Sequence, residues 1–582
     1  MSRRPLIKFF RRKDSIDWLS AASFIVAMVL LSIFILGPIL IVFVGAFKGE
    51  TGWGFENFHR YWAVPSMRKG LWNALKAGAI TTFFTSLIGL PTAYIMTRYR
   101  FPGYRLFKVL LTLPLIMPPF IGAFSMVVML GRNGMVTNFL RDLLGFKLIE
   151  GFVRPSLMSV VFVQTTHLWP LIYLNTSASL SKIDPSLEEG ARNLGASGLQ
   201  LFSRITFPLA LPGYMAGAFL TFVWSLSDIG SPLMLSFGNY APSQAFWELV
   251  RVEGVVEYAS VICVILTLIS IASLILLNRF VGLKEYATVR VGAASSTIVK
   301  RAGRWLSAGI CTLLLAVIVL STLPHVGTFI IAFAELPRYG SWVLQGLNLE
   351  GWMKVLGRVE TQHLMINSLL YASLAAMIDV VLGALIGYIL VRKRFAGKSV
   401  LDIISVMPLA VPGVVIALGY LFLFSPRLPG TTFRLSSFWF ILVIAYSMRR
   451  LPYSVRSSHA VLQQIHVSLE EAAQNLGATR LWTLLKITFP LMSAGLIAGG
   501  TMSFITAFTE VSTSLMVQPL HGPFGVHARP ITLGIYCEIQ RGAGGYAPAG
   551  ALGVIQIVTA ALCFYLVNRV VGRKGELSIG VG

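Results

Sequence analysis

The chain has 582 residues, of which 55% are hydrophobic and only 12% are charged. Soluble globular domains carry about twice that share of charge, so the composition indicates an integral membrane protein. The formal net charge of +24 suggests nucleic-acid binding, but the basic residues lie between long apolar runs, as membrane topology requires. We therefore expect no nucleic-acid partner. The four cysteines have no metal-ligand spacing and predict no disulfide framework.

Twelve apolar runs are each long enough to cross a bilayer as a helix of about 20 residues. The first follows a basic N-terminus and continues too far for a cleaved signal peptide, so we interpret it as an uncleaved span. The sequence therefore predicts an all-α polytopic membrane protein with about 12 transmembrane helices, six per half. The runs fall near 18–47, 71–97, 106–130, 155–180, 206–235, 258–281, 303–334, 365–391, 400–424, 435–460, 488–517 and 546–571.

The distribution of lysine and arginine predicts how these spans are oriented. If the N-terminus is inside and the spans alternate, 31 basic residues lie in inner segments, 16 in outer segments, and Lys76 within a span. Arg449 and Arg450 are counted among the inner residues. The inner excess predicts that both termini are cytoplasmic.

The two halves share residues at a nearly constant offset, which indicates an internal duplication. The offset is 294 residues over the second and third spans and has dropped to 282 residues by the loop after the fourth span, so about twelve extra residues are predicted in between, near 131–154. Six spans per half is an even number, so the two repeats are parallel and related by a pseudo-two-fold axis along the membrane normal. Matched residues include Asn73 and Asn367, Gly89 and Gly383, Arg98 and Arg392, Pro114 and Pro408, and Pro118 and Pro412.

The duplication predicts the domain organisation. A first permease-like repeat covers 1–281, a cytoplasmic linker with small residues covers 282–303, and a second repeat covers 304–582. Each repeat has a long cytoplasmic loop between its fourth and fifth spans, at about 181–207 and 463–489.

Each of these loops contains a short polar segment with an acidic start and a glycine at its end. The first copy reads SLEEGARNLGA from Ser186 to Ala196, and the second reads SLEEAAQNLGA from Ser468 to Ala478. This pattern is typical of a short helix with an acidic first turn and a glycine after its last turn. Such a helix is either a solvated loop or a contact surface for another protein.

Both segments resemble the cytoplasmic EAA loop of ABC-importer permeases, in which Glu-Ala-Ala precedes a glycine six positions after the glutamate. Gly190 departs from that pattern and weakens the first helix, since glycine costs about 1 kcal/mol relative to alanine. The resemblance implies that each loop forms a coupling helix that docks on an ATPase subunit. The residues it assigns to ATPase coupling are Glu188, Glu189, Gly190, Ala191, Gly195, Glu470, Glu471, Ala472, Ala473 and Gly477.

A single chain with two such halves resembles the fused permeases of ferric-iron and thiamine importers. The resemblance implies the type I importer fold of molybdate- and maltose-type permeases, embedded in the lipid of a bacterial inner membrane. It also implies two copies of an ATPase subunit and an external, periplasmic binding protein as partners. Ferric iron is the first choice of cargo, while thiamine, phosphonate, polyamine and oxyanions remain open.

The chain itself lacks a phosphate-binding loop. The sequence Gly397-Lys398-Ser399 has Arg392 where the G-x-x-x-x-G-K-[ST] pattern needs a glycine. We therefore expect no enzymatic activity and no cofactor on this chain, with ATP and Mg²⁺ bound by partner subunits. A gradient-driven transporter with parallel halves is the alternative from another class. A membrane-embedded enzyme lacks any nucleophile–base pair in its favour.

A few polar residues and prolines within the spans are candidates for the translocation pathway. Asp228 and Glu510 are equivalent and late in apolar runs, where an acidic residue is either functional or paired with a neighbouring helix. Asp379, matched by Thr85, has no assigned role, and His167 and His325 are interpreted as packing residues. No metal site is predicted. The prolines, which break the third spans or serve helix packing, are Pro114, Pro118, Pro408 and Pro412.

Overall fold

The structure is a computed structural model. It describes residues 18–572 except 51, 117, 145–152, 236, 251–254, 283–299, 336–345, 394–396, 428–433 and 524–526. The basic N-terminus, most of the predicted linker and residues 573–582 lie outside the described residues. The division at 281 and 304 therefore stays a prediction.

The first half is built from helices, because in lipid every backbone N–H and C=O must find its partner within the chain. Its fourth span, α8, is followed by two short helices and then by the long helix α11. The helices are α1 Trp18–Leu31, α2 Gly37–Phe47, α3 Glu56–Ala63, α4 Pro65–Arg98, α5 Tyr104–Leu110, α6 Pro119–Leu130, α7 Met135–Leu144, α8 Leu157–Leu180, α9 Pro185–Asn193, α10 Gly198–Leu201, α11 Phe207–Leu226, α12 Gly230–Met234, α13 Ala241–Val250 and α14 Val256–Gly282.

The second half repeats this order with matching lengths. Both α4 and α17 have 34 residues, and both α11 and α23 have 20. The offset changes between α6 and α8, where α7 has no counterpart among the described residues, in agreement with the predicted insertion. The helices are α15 Arg304–Phe333, α16 Glu350–Gly357, α17 Val359–Arg392, α18 Lys398–Ala410, α19 Gly413–Phe424, α20 Phe440–Gln464, α21 Ser468–Asn475, α22 Arg480–Thr483, α23 Phe489–Phe508, α24 Ser512–Met516, α25 Ile531–Gln540 and α26 Ala543–Gly572.

Short irregular elements complete the two repeats. Single π-helical turns join α1 to α2, α10 to α11 and α22 to α23, and two 3₁₀ turns precede α6 and α20. Two antiparallel hairpins occupy equivalent places, while β3 and β4 pair in parallel and connect the two halves. The strands are β1 Lys48–Gly49, β2 Gly52–Trp53, β3 Tyr99–Arg100, β4 Lys300–Arg301, β5 Ala334–Glu335 and β6 Gly346–Leu347.

The number of spans agrees with the sequence except at one helix. Within the described ranges, nine helices are long and apolar enough to cross a membrane, or eleven if each of two bent pairs forms one span. The remaining predicted run, 435–460, corresponds to α20, which has 25 residues but carries Arg449, Arg450 and Arg456 and is therefore less apolar. The prediction of an all-α membrane protein with two repeats is confirmed.

The two halves pack against each other in a reciprocal way. In each half the second span packs on the fourth and fifth, as α4 does on α8 and α11 and α17 on α20 and α23. The first span crosses to the other half, since α2 contacts α19 and α15 contacts α6. Gly217 of α11 lies against Ile172, and the equivalent Gly499 of α23 lies against Ser454, so small residues bring these helices close.

Candidate coupling helices and translocation cavity

The sequence predicts that α9 and α21 are coupling helices, and that name is kept for these two candidates. The two ends of the first, α9, are fixed by its own sequence. The Ser186 amide donates to the Asp184 carboxylate at 2.9 Å, which caps the N-terminus, and Pro185 supplies the first helical residue. The Ser186 amide and hydroxyl hold the pKa of the Asp184 carboxyl below its usual value, because both donate to the ionised form. At the other end the Ala196 amide donates to the Ala191 carbonyl at 2.9 Å, with the intervening Gly195 at φ +89°.

The second coupling helix, α21, ends in the same way. The Ala478 amide donates to the Ala473 carbonyl at 3.0 Å, and Gly477 has φ +91°. Only glycine adopts this left-handed conformation without strain. The glycine that the motif requires is therefore the residue that ends each coupling helix.

A buried ion pair holds α9 against the end of α4. Arg98, the last residue of α4, donates from Nη2 to Glu188 Oε1 at 2.5 Å, and Thr206 Oγ1 donates to the same oxygen at 2.8 Å. Glu188 is only 2% exposed and Arg98 is 5% exposed. The first glutamate of the motif thus contacts its own chain rather than the surface.

The same pair recurs in the second half. Arg392, the last residue of α17, donates from Nε to Glu470 Oε1 at 3.0 Å and from Nη2 to the Ile465 carbonyl at 2.7 Å. Glu470 is 5% exposed. Both coupling helices are therefore fixed to the end of the second span of their own half.

The outer face of each coupling helix is exposed. Glu189 and Glu471, one residue after the buried glutamates, are exposed, and Leu194 and Leu476 are both 90% exposed. A single exposed leucine is normal on a protein surface, but here the same motif exposes it to the same extent in both halves. The other predicted coupling residues divide in the same way. Ala473 is buried and Ala191 half-buried, while Gly190, Gly195, Ala472 and Gly477 are exposed.

The third span is broken in both halves at the predicted prolines. The segments on either side bend by 95° in the first half, with Pro118 before α6, and by 109° in the second, with Pro412 before α19. Pro114 lies in the 3₁₀ turn and Pro408 in the last turn of α18.

A polar side chain from the fourth span lies at each break. His167 of α8 bonds through Nδ1 to the Pro114 carbonyl at 2.7 Å. Its counterpart 282 residues later is Arg449 of α20, whose guanidinium packs directly on Gly413. A carbonyl freed by a helix break needs such a partner, since lipid offers none.

Both breaks lie near a cavity between the two halves. It has about 1140 Å³ of empty space, open solvent included, and it is lined by Pro114, Asp228 and Glu510. Pro119 lines it as well, whereas Pro118, Pro408 and Pro412 are not among the lining residues that the structure describes. Its other polar lining residues include Gln164, His167, His325, Arg449 and Arg450.

Glu510 is neutralised by two arginines. Its two carboxylate oxygens accept from Arg449 Nη1 and Arg450 Nη2, and all three side chains are mostly buried. The Thr513 amide, in the first turn of α24, also donates to Glu510 at 3.3 Å. This carboxylate is therefore part of a structural ion-pair cluster with an excess of positive charge.

Asp228 has a different environment from its counterpart Glu510. It accepts from Gln164 Nε2 at 3.0 Å and from the amides of Gly230 and Ser231 at 2.8 and 3.3 Å. Among the described residues it forms no ion pair, and it is half-buried and lines the cavity. The cavity thus has a negative side from the first half and a net positive side from the second.

The cavity does not resemble a tight metal site. Over the described ranges, no group of three or more His, Cys, Asp or Glu residues is arranged to hold a metal ion. His167 and His325, which the sequence suggested as packing residues, both line the cavity. The polar groups that line the cavity are scattered and form no ligand cage within the part of the chain that the structure describes.

Sequence reasoning missed three features of the site. Arg449 and Arg450 do not belong to the inner basic residues, because they lie buried in the middle of α20 and pair with Glu510. Asp379 accepts from Ser447 Oγ at 2.6 Å and from Ser503, and so joins α17 to α20 and α23. The role of Arg98 was signalled by its match to Arg392 in the repeat, but only the fold shows the glutamates they contact.

Comparison with known proteins identifies the repeat. The family described as binding-protein-dependent transport system inner membrane component matches residues 85–284 and again 379–574, together more than half of the chain. The ferric transport system permease protein FbpB of Actinobacillus pleuropneumoniae is 27% identical over 92% of this chain and 76% of its own length. A putative ferric transport system permease protein, FbpB 1 of Haemophilus influenzae, is 28% identical over 85% of this chain and 77% of its own length.

A relative of half the size matches a single repeat. The sulfate transport system permease protein CysT of Salmonella typhimurium is 29% identical over 37% of this chain and 77% of its own length. The two family matches fall on the two halves that share the buried Arg–Glu pair and the broken third span. The chain therefore belongs to the family of binding-protein-dependent transport system inner membrane components and carries two copies of its permease domain in one polypeptide.

Proposed function

We propose that the chain is the transmembrane permease subunit of an ATP-driven, binding-protein-dependent importer for ferric iron. It works with two copies of a cytoplasmic ATPase subunit and with an external binding protein that delivers the cargo. The observation that carries this proposal is the pair of coupling helices, each fixed by a buried ion pair and each presenting an exposed leucine and glutamate. Two equivalent contact surfaces on one chain fit two ATPase subunits.

The buried pairs connect the coupling helices to the cavity. Arg98 and Arg392 end the helices α4 and α17, which pack on the helices that line the cavity. Because packed helices are rigid, a displacement of a coupling helix is transmitted along α4 or α17 to the helices around the cavity. When ATP draws the two ATPase subunits together, the coupling helices move with them and the two halves rock about the cavity.

ATP and Mg²⁺ belong to the ATPase subunits in this proposal, and the permease chain binds no cofactor. Both termini are cytoplasmic, on the side of the coupling helices. The chain lies in the bacterial inner membrane, with the binding protein on the periplasmic side.

Ferric iron is supported as cargo by the two long relatives and by Asp228. Both relatives are ferric transport permeases by name and match most of the chain. Asp228 offers a carboxylate on the first-half side of the cavity, and among the described residues no arginine pairs with it. A single carboxylate attracts a cation without holding it, as transport requires.

An oxyanion is the second candidate cargo, and a specific feature favours it. Arg449 and Arg450 line the cavity, and guanidinium groups suit oxyanions because their donors match two oxygens at once. The sulfate relative points the same way for one repeat. Against it, both guanidinium groups already donate to Glu510.

Uptake into liposomes tests the function and separates these cargos. The chain is reconstituted with its ATPase and its binding protein, and uptake of radiolabelled ferric citrate, sulfate, molybdate, thiamine, spermidine and a phosphonate is measured with and without ATP. We expect ATP-dependent uptake of iron alone. Uptake driven by an ion gradient without ATPase would contradict the importer, and ATP-driven sulfate or molybdate uptake would replace iron by an oxyanion.

A further inference from the structure

The parallel pairing of β3 with β4 creates a basic surface that neither repeat has alone. Tyr99 and Arg100 follow α4, while Lys300 and Arg301 precede α15, and the Ala302 amide donates to the Arg100 carbonyl at 3.0 Å. The loop before α5 and the start of α15 therefore lie side by side, on the same side of the membrane as the coupling helix that Arg98 holds. We call this surface the basic junction. Its exposed basic residues are Arg100, Arg105, Lys108, Lys300, Arg301 and Arg304.

The basic junction has no acidic partner within the described residues. None of its six side chains forms an ion pair, and the segments 98–116 and 300–334 contain no aspartate or glutamate. Arg98, the nearest basic residue along the chain, is already paired with Glu188. Six like charges this close repel one another, so an anion that joins them stabilises the surface.

The geometry of the loop also preorganises part of the basic junction. Gly103 has φ +78° and turns the chain into α5, and the Tyr104 hydroxyl donates to the Met96 carbonyl at 2.9 Å. The Arg100 guanidinium stacks on the Tyr104 ring, 4.1 Å from its centroid. A groove lined by Arg100, Arg105 and Lys108 results. The charges are therefore held on a folded loop and not on a free tail.

Apolar side chains continue the basic junction toward the membrane. Leu106 and Val109 of α5 are 61% and 53% exposed, and Trp305, the second residue of α15, is 89% exposed. Tryptophan and basic residues at the ends of spans are typical of the headgroup region of a bilayer. A ligand that fits both parts has an anionic head and an apolar tail.

We propose that the basic junction binds the headgroup of an anionic phospholipid, with the acyl chains along Leu106, Val109 and Trp305. Basic pockets between membrane helices recognise such lipids through the phosphate charge. The site connects the end of α4 to the start of α15, so a bound lipid ties the two repeats together at the side where the coupling helices lie. This inference does not depend on which cargo is transported.

Lipid counting by native mass spectrometry tests the site on the full purified chain. The chain in detergent is titrated with phosphatidylglycerol, with phosphatidylcholine and with inorganic phosphate. The test variant is Arg105→Gln/Arg301→Gln, which removes one charge from each side of the strand pair. The matched control is Arg279→Gln/Lys398→Gln, which removes two charges near the ends of α14 and α18 outside the basic junction.

We expect the wild-type chain to bind phosphatidylglycerol and the test variant to bind it about thirtyfold more weakly, since each basic group contributes roughly fivefold. The control keeps wild-type affinity, and unchanged thermal unfolding of both variants shows that they are folded. Equal binding of phosphatidylcholine, or an equal loss in the control, overturns the site. If millimolar phosphate displaces the lipid, the basic junction is a site for small anions and the proposed lipid ligand is wrong.

Discussion

Arg98 of α4 and Glu188 of α9 form a buried ion pair, with 2.5 Å between Nη2 and Oε1, and Arg392 and Glu470 repeat it in the other half. The pair makes each coupling helix an extension of a membrane helix. Arg98 Nε and Nη1 have no other partner among the described residues, so Glu188 is the main compensation for a buried charge. The motif glutamate therefore has a structural role that its position in a polar loop does not suggest.

Replacing Glu188 with Gln should loosen the first coupling helix. The change removes one partner of a buried pair and leaves the Arg98 charge uncompensated, which costs about 3 kcal/mol. We expect a lower thermal unfolding midpoint and weaker ATPase stimulation by the loaded binding protein. Both are measured on the reconstituted transporter.

Glu189→Gln is the matched control, because it makes the same chemical change one residue further on at an exposed side chain. It should leave the unfolding midpoint unchanged. If both variants unfold alike, the buried pair does not hold the coupling helix.

The ends of the coupling helices provide a second prediction. Gly477→Val forces a β-branched residue into φ +91°, which costs about 1–2 kcal/mol and misplaces the neighbouring Leu476. We expect the chain to insert normally but ATPase stimulation to fall. Gly190→Ala is the control, because open space surrounds Gly190 within the helix and alanine stabilises a helix by about 1 kcal/mol. Normal stimulation in Gly477→Val would count against a docking role for α21.

The sequence predicted the elements of this fold well because bilayer insertion leaves few choices. Apolar runs form helices in lipid whatever their tertiary contacts, and the duplication was visible in matched residues such as Arg98 and Arg392. The glycine that ends each coupling helix was also predictable, since its conformation depends on local sequence. These features can be predicted without knowing the tertiary contacts between helices.

The cavity could not be predicted, because its character depends on contacts between distant residues. Arg449 and Glu510 are 61 residues apart and meet only because α20 packs on α23. From their positions in the repeat, Asp228 and Glu510 were predicted to be equivalent. The fourth span differs between the halves, with His167 in the place of Arg449, and this difference gives the two carboxylates different roles.

The helix break in the second half provides a third prediction. A methyl group on Gly413 would collide with the Arg449 guanidinium, so Gly413→Ala should displace Arg449 from Glu510. We expect a loss of about 1–3 kcal/mol in stability, as for other overpacked sites, and reduced uptake. Gly309→Ala, where open space surrounds a glycine inside α15, should cost nothing by the same thermal unfolding assay. Equal behaviour of the two variants would show that Arg449 tolerates movement.

The last prediction separates the two equivalent carboxylates of the cavity. Glu510→Gln removes the carboxylate that pairs with both Arg449 and Arg450. Two buried cations then face each other, which costs about 3–5 kcal/mol, so we expect this variant to lose abundance in the membrane. Asp228→Asn keeps an oxygen that accepts from the Gly230 amide. It loses the bond from Gln164 Nε2, but that group also donates to the Ser225 carbonyl at 3.3 Å, so the chain should fold normally.

The cargo then decides how Asp228→Asn behaves in transport. If a cation crosses the cavity, loss of this charge removes about 1 kcal/mol of attraction, and uptake at matched membrane abundance should fall about fivefold. An oxyanion would instead cross as fast or faster once the carboxylate is gone. Uptake of iron and of sulfate by wild type and Asp228→Asn, normalised to the amount of chain in the membrane, measures both. Unchanged iron uptake would remove Asp228 from the pathway and leave it as an acceptor for the first two amides of α12.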